Sequence, residues 1–252
     1  MKALFTTILC LSLSLVFFTH MTYGQSLPEM ILVEGGTFLM GDEFGLGEEN
    51  ERPVHKVTLR SFSISKTEVT VGQYKQYCSE TGVKMPDPPE WGWIDSHPMV
   101  NVSWLEARDY CYWLKEKTGK LYLLPTEAQW EYVARGGKNS VGNKYSGGKS
   151  LPLVGWFGDN SEGHTNPVAQ KYPNELGIYD MSGNVWEWCM TSYEEYDSSP
   201  RTDPWPDFYV LNSVLRGGSF STPASECRVS YRFYFEAERS GHDAGFRVVL
   251  IQ

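Results

Sequence analysis

The chain has 252 residues, 22 basic and 31 acidic side chains for a net charge of −9, and an aromatic content of 14 % with nine tryptophans. That length fits one strand- and loop-rich domain, and the acidic balance argues against nucleic acid as a partner. No stretch after the N-terminal run approaches the roughly 18 apolar residues a membrane span needs, so no transmembrane segment is expected.

Residues 1–24 read as a signal peptide. Lys2 is followed by an apolar run from Ala3 to Phe18 and then by "THMTYG", a basic start, an apolar core and small residues at a cleavage position. The domain proper is then 25–252, and export points to a secreted, periplasmic protein. Cys10 within the apolar run, preceded by "TIL", supplies the lesser, lipid-anchored reading. In an oxidising compartment Cys78, Cys111, Cys189 and Cys227 can form disulfides in three full pairings, which the sequence leaves open. No two of them lie two to four residues apart, which excludes a zinc ribbon.

In chain order, "MILVEGGTFLMG" and "VHKVTLRSFSIS" read as strands, Val57 and Leu59 alternating with Lys56 and Thr58. The acidic stretches "DEFGLGEENE" and "YEEYDSSPRTDP" read as solvated loops, with calcium as the sharper alternative. Three helices start at the same device, a hydroxyl with Glu or Gln three positions on: Thr70 with Gln73, Ser103 with Glu106, and Thr126 with Gln129. They stop at Gly82, Gly119 and Gly136. In the second, Trp104, Ala107, Cys111 and Leu114 form one apolar stripe, which makes Cys111 a core residue. Residues 137–176 read as ordered irregular structure pinned by Trp156, Phe157 and Tyr172, and "SVLRGGSF" and "GFRVVLIQ" as closing strands. The sum is one mixed α+β domain whose many Trp and Tyr hold loops by apolar bodies and polar tips.

Four words carry more: "ERPVHKVTLRSFSISKTEVTVGQY", "LPTEAQWEYVARGG", "YDMSGNVWEWC" and "LRGGSFSTPASECRVSYR". In this order they resemble the sulfatase-modifying factor family, founded on the formylglycine-generating enzyme, over nearly the whole mature chain. The resemblance implies a C-type-lectin-like fold. It also implies an oxidoreductase in which two cysteines bind Cu(I) and oxidise a substrate cysteine to formylglycine, with a sulfatase as protein partner. On that alignment Cys227 is the second copper cysteine and Thr222 stands at the first. A neutral hydroxyl is a poor Cu(I) ligand, so the departure falls on the chemistry itself. Ser219 is retained, and Asp243 replaces an asparagine lining the oxygen pocket. The resemblance further implies calcium held by Asp180 and Glu187 side chains with the carbonyls of Gly183 and Val185; the alternative is that Glu187 is salt-bridged in a Trp-rich core.

Two function classes follow. One is a copper enzyme of the formylglycine-generating type; the other is a non-catalytic binding or structural module whose groove, lined by Ser219, Phe220, Arg228, Tyr231 and Arg232, takes a protein, peptide or glycan. Aromatics with arginines suit recognition, and equally the arginines could satisfy core acids. Cys227 is correspondingly a disulfide partner of Cys189, an inert buried thiol or a remnant ligand, and Arg228 beside a free, exposed sulfur would favour its thiolate. A non-haem iron reading is weak, because His55, His97, His164 and His242 are scattered singly. A hydrolase reading lacks a nucleophile elbow, an HExxH and a P-loop.

Overall fold

A computed structural model describes residues 27–251; the expected signal peptide and Cys10 lie outside the described residues. All three helices begin at the expected caps. Thr70, Ser103 and Thr126 each accept a hydrogen bond from the backbone N–H three residues on, and Gln73, Glu106 and Gln129 close the reciprocal bond. The helices are α1 (Val71–Thr81), α2 (Trp104–Thr118) and α3 (Glu127–Ala134). Gly82 and Gly119 terminate the first two in the left-handed conformation, and Gly136 adopts it just beyond Arg135, the last cap.

The strands are short and sort into three sheets. β1 (Met30–Val33), β4 (Phe62–Ser65), β11 (Val249–Leu250) and β5 (Tyr122–Leu123) form the first, in that order and antiparallel throughout. β2 (Gly36–Met40) and β3 (His55–Leu59) pair antiparallel, with β7 (Arg201–Thr202) parallel at the far edge. The third sheet runs β10 (Ala244–Gly245), β6 (Trp186–Ser192), β8 (Asn212–Arg216), β9 (Arg232–Glu236). Both N-terminal apolar words therefore split into two strands, the first of them at Gly35. A side chain there would press against the Leu59 carbonyl at 2.3 Å. The result is a mixed α+β fold with the C-type-lectin-like organisation expected.

The core confirms the stripe on α2: Trp104, Ala107, Cys111 and Leu114 are all buried. Burial of such side chains contributes about 1.5–3 kcal/mol each for the large ones. Tyr74, Tyr77, Tyr110, Trp113 and Phe246 pack around them edge-to-face or tilted, with Tyr74 and Tyr110 stacked. The tryptophans also fasten loops, since Trp104 Nε1 donates to the Cys189 carbonyl (2.9 Å) and Trp188 Nε1 to that of Val102 (3.0 Å). Segment 137–176 is ordered and contains a short helix, α4 (Leu151–Val154). Phe157 is buried as expected, but Tyr172 is 67 % exposed and pins nothing. Among the described residues no helix is long and apolar enough to cross a membrane.

The acidic loop at 42–51 is held by its own turn and by arginines outside it, Glu43 pairing with Arg135 and Glu51 with Arg228. Asp42 accepts from the N–H groups of Phe44, Leu46 and Gly47 and from Arg52, so this carboxylate is a turn-former. Its burial raises the pKa, but those donors outweigh burial and hold it at about 2.

Candidate functional site: the 219–227 turn

β8 ends at Arg216 and is followed by two glycines in the left-handed region. The second, Gly218, clears space for the pair beneath it: a Cβ there would lie 2.6 Å from Cys227 Sγ and 3.0 Å from Thr222 Oγ1. The chain then turns over residues 219–222. Ser219 N–H donates to Thr222 Oγ1 (2.9 Å), and Thr222 N–H donates back to the Ser219 carbonyl (3.2 Å). A 3-10 turn, Ala224–Cys227, returns the chain so that Thr222 Oγ1 and Cys227 Sγ stand 3.7 Å apart. The structure thus brings the two expected positions together.

The electrostatics are those of a closed site. Cys227 is fully buried in a small cluster with Tyr145, Leu151, Val154 and Phe157. Burial pushes its thiol up to about 12, with only a small opposing pull from Thr222. Arg228 does not assist it: its guanidinium turns the other way, bidentate on the Glu51 carboxylate at 2.6 and 2.7 Å. The expectation of an arginine-favoured thiolate is therefore corrected. One thiol beside a hydroxyl already engaged by a backbone N–H does not fit Cu(I), which needs two soft, anionic sulfurs.

Of the three fates open to Cys227, the structure shows the buried thiol and no bridge to Cys189: among the described residues Cys78, Cys111, Cys189 and Cys227 are all free and buried. Cys189 belongs to the main core and Cys227 to the separate small cluster. Hydrogen bonds supply the tie that a bridge would have made. Gly183 N–H donates to the Gly217 carbonyl (2.8 Å), Phe220 N–H to that of Asn184 (2.7 Å), and Ser182 Oγ to that of Cys227 (2.8 Å).

Asp243 fixes the outer side of the turn. Its Oδ2 accepts from Ser219 Oγ (2.7 Å) and Ser221 Oγ (2.8 Å), which leaves Ser219 as a positioning group for the loop. Phe220 is buried beneath Trp91, edge-to-face at 5.3 Å, while His164 lies against Trp91 and the exposed His242 against Phe220. Trp91 escaped the sequence reading and His164 entered it only as a scattered lone histidine, because nothing local marks them; they reach the site from distant loops.

The arginines expected in a groove belong to the interior, which corrects that reading for both. Arg232 is 2 % exposed and bidentate on Glu127 (2.8 and 2.9 Å), and Arg216 reaches Glu131 from the same network. Tyr231 remains half-buried beside Trp186, with Arg228 over its ring at 5.5 Å. In a low-dielectric core such guanidiniums need carboxylate partners, and the chain supplies one for each.

The candidate calcium loop divides. Glu187 is committed to the core: Arg247 grips both its oxygens (2.6 and 2.7 Å), and Trp130 Nε1 donates to one of them (2.7 Å). As a calcium side-chain ligand Glu187 is thereby corrected in favour of the salt-bridged alternative. Asp180 is different. It sits in the left-handed region, its Oδ2 accepts from Ala169 N–H (2.7 Å), and its Oδ1 is buried without a partner. Near it lies Glu68, which the sequence reading missed, 1 % exposed and with both oxygens unpartnered. Burial first, then the charges of Asp180 and Glu187, push Glu68 far above the carboxylate range, and burial pushes Asp180 up to about 6. Gly183 and Val185 lie on the same loop, Val185 fully buried. Among the described residues no three His, Cys, Asp or Glu side chains converge as a metal cluster. Two orphaned carboxylates still fit a hard cation completed by backbone oxygens.

Comparison with known proteins identifies the scaffold. A family model for the sulfatase-modifying factor enzyme 1-like domain matches residues 18–251. A formylglycine-generating enzyme from Streptomyces coelicolor is 33 % identical over 88 % of this chain and 89 % of its own. An inactive C-alpha-formylglycine-generating enzyme 2 from Bos taurus is 29 % identical over 89 % of this chain and 88 % of its own. Among solved structures, PvdO from Pseudomonas aeruginosa superposes with a TM-score of 0.79 at 30 % identity, covering 89 % of this chain and 95 % of that one. Treponema denticola variable protein 1 gives 0.75 at 26 %, over 88 % and 94 %.

Proposed function

The chain belongs to the sulfatase-modifying factor enzyme 1-like family, and from that premise we propose that it is an exported, non-catalytic member that uses the family scaffold to bind a protein or peptide partner. Relatives in the family carry names of both an active and an inactive formylglycine-generating enzyme, so membership alone leaves the activity open. The observation that carries the proposal is the pair Thr222 Oγ1 and Cys227 Sγ, 3.7 Å apart. One thiolate site is replaced by a hydroxyl that serves the turn, and the remaining thiol is buried and protonated. The face above them, with Ser221, His242 and Trp91 accessible in whole or part, is the surface offered to a partner.

Calcium, in this reading, is a structural ion held by Asp180 and Glu68 with carbonyl oxygens of the 180–187 loop. It would supply charge compensation for two buried carboxylates that form no ion pair of their own, since Arg247, whose charge acts on both, is hydrogen-bonded to Glu187. The protein's own residues do the rest: Asp243 holds the 219–222 turn, and Gly183 and Ser182 couple the calcium loop to it.

The test is an aerobic assay of the full mature chain with Cu(I) and a cysteine-containing sulfatase-type peptide, alongside a Cu(I) titration followed by thiolate absorption. The expected result is no aldehyde product and no saturable thiolate band. Turnover with stoichiometric copper would sink the non-catalytic reading.

A further inference from the structure

Far along the chain from the 219–227 loop, a cavity of 450 Å³ opens between β3, the start of α3 and the 193–207 loop. Its floor is the closed ion pair of Glu127 and Arg232, and Tyr196 OH donates to Glu127 Oε1 (3.0 Å). The floor is therefore saturated and offers a ligand little. The walls are different.

His55 lines the cavity and is only 4 % exposed. Its Nδ1 lies 3.1 Å from the Pro53 carbonyl and donates to it, which leaves Nε2 as the lone-pair nitrogen, with no protein hydrogen bond. Around the rim, the Glu194 and Glu195 carboxylates are exposed and enter no ion pair, while Arg201 is already paired with Asp197 at 2.9 Å. Asp207 spends one oxygen on Ser192 N–H (2.8 Å). Over the opening stands Trp205, 75 % exposed.

Apart from hydroxyls such as those of Ser192 and Thr202, which can donate or accept, the groups left unsatisfied here are acceptors, anions and an aromatic face, while the lining cations Arg201 and Arg232 are paired with Asp197 and Glu127. We propose that this cavity binds an organic cation bearing N–H donors, a primary ammonium or a guanidinium. Its N–H groups donate to His55 Nε2 and to the Glu194, Glu195 and Asp207 carboxylates, and its positive charge rests against the Trp205 indole. The net charge of the chain draws such a ligand in. The same chemistry is carried by a free polyamine and by a lysine or arginine side chain of a peptide. The site is separate from the one under Proposed function and stands without it.

The experiment is isothermal titration of the full mature chain with agmatine, with N-acetyl-arginine amide, and with N-acetyl-citrulline amide as the neutral isostere. Saturable binding of one or both cations is expected, with none for citrulline, and with affinity falling as salt is raised. Glu194→Gln combined with Glu195→Gln, and separately Trp205→Ala, change exposed residues; each is expected to weaken binding tenfold or more while the melting temperature stays put. Tighter agmatine than capped arginine identifies a small amine as the source, and the reverse a peptide side chain. No saturable binding of either cation, equal binding of citrulline, or affinity unchanged in both variants would overturn the proposal.

Discussion

Thr222 Oγ1 lies 3.7 Å from Cys227 Sγ and accepts the Ser219 N–H at 2.9 Å. One hydroxyl thus both closes the turn and stands beside the thiol.

Replacing it separates these two roles. Thr222→Ala leaves a buried N–H unpaired and is expected to lower stability by about 1–3 kcal/mol, whereas Thr222→Ser keeps the acceptor and costs under ~1 kcal/mol by the same reasoning. Thr222→Cys, which places a second thiol beside Cys227, is expected to gain a Cu(I)–thiolate absorption that the parent lacks. Urea denaturation and copper titration read the three variants together.

Cys227 is expected to resist alkylation in the folded protein. It is buried and its thiol is pushed up to about 12, so at neutral pH almost no thiolate is present or reachable. Iodoacetamide labelling followed by peptide mass spectrometry should mark Cys227 only after denaturant is added; rapid labelling of native protein would contradict the buried geometry.

Arg228→Ala strands the Glu51 carboxylate in the interior, where both partners of the pair are almost wholly shielded. Breaking a buried pair from one side costs about 3–5 kcal/mol, readable as a lowered urea midpoint. If Arg228 served an open groove instead, stability would barely change.

The same carboxylates set the acid limb. Burial would raise Glu51, but Arg228 and its other donors outweigh it and lower its pKa; Asp42 behaves alike and sits at about 2. A depressed folded pKa means the unfolded chain binds the proton first. Their contribution is therefore intact above about pH 4, near the unfolded values, and drains away as pH falls toward 2. In Asp42→Asn, melting temperature should depend less on pH across that window.

Calcium should raise the melting temperature of chelator-treated protein at neutral pH, and both Asp180→Asn and Glu68→Gln should abolish the shift. Asp180→Asn also removes a buried negative charge, so that calcium-free variant should match or exceed the parent's melting temperature, whereas Glu68 is held protonated by burial and Glu68→Gln should stay near the parent's. A calcium shift that survives both substitutions would move the ion elsewhere.

The sequence by itself determined the three helices and their ends, because a capping box and a left-handed glycine act within one turn of chain. It also determined the α2 stripe and the family, since residue spacing and motif order are properties of the chain. Tertiary structure decided where the charges went. Arg228 finds Glu51 from 177 residues away, and Arg247 takes Glu187 from 60. Nothing local to any of them announces the pairing. It follows from burial: a guanidinium or carboxylate removed from water must meet its complement, and only the packed fold determines which complement is within reach. Glu68 and Asp180 show the converse, two acids buried together that feel the charge of Arg247 while its carboxylate partner is Glu187.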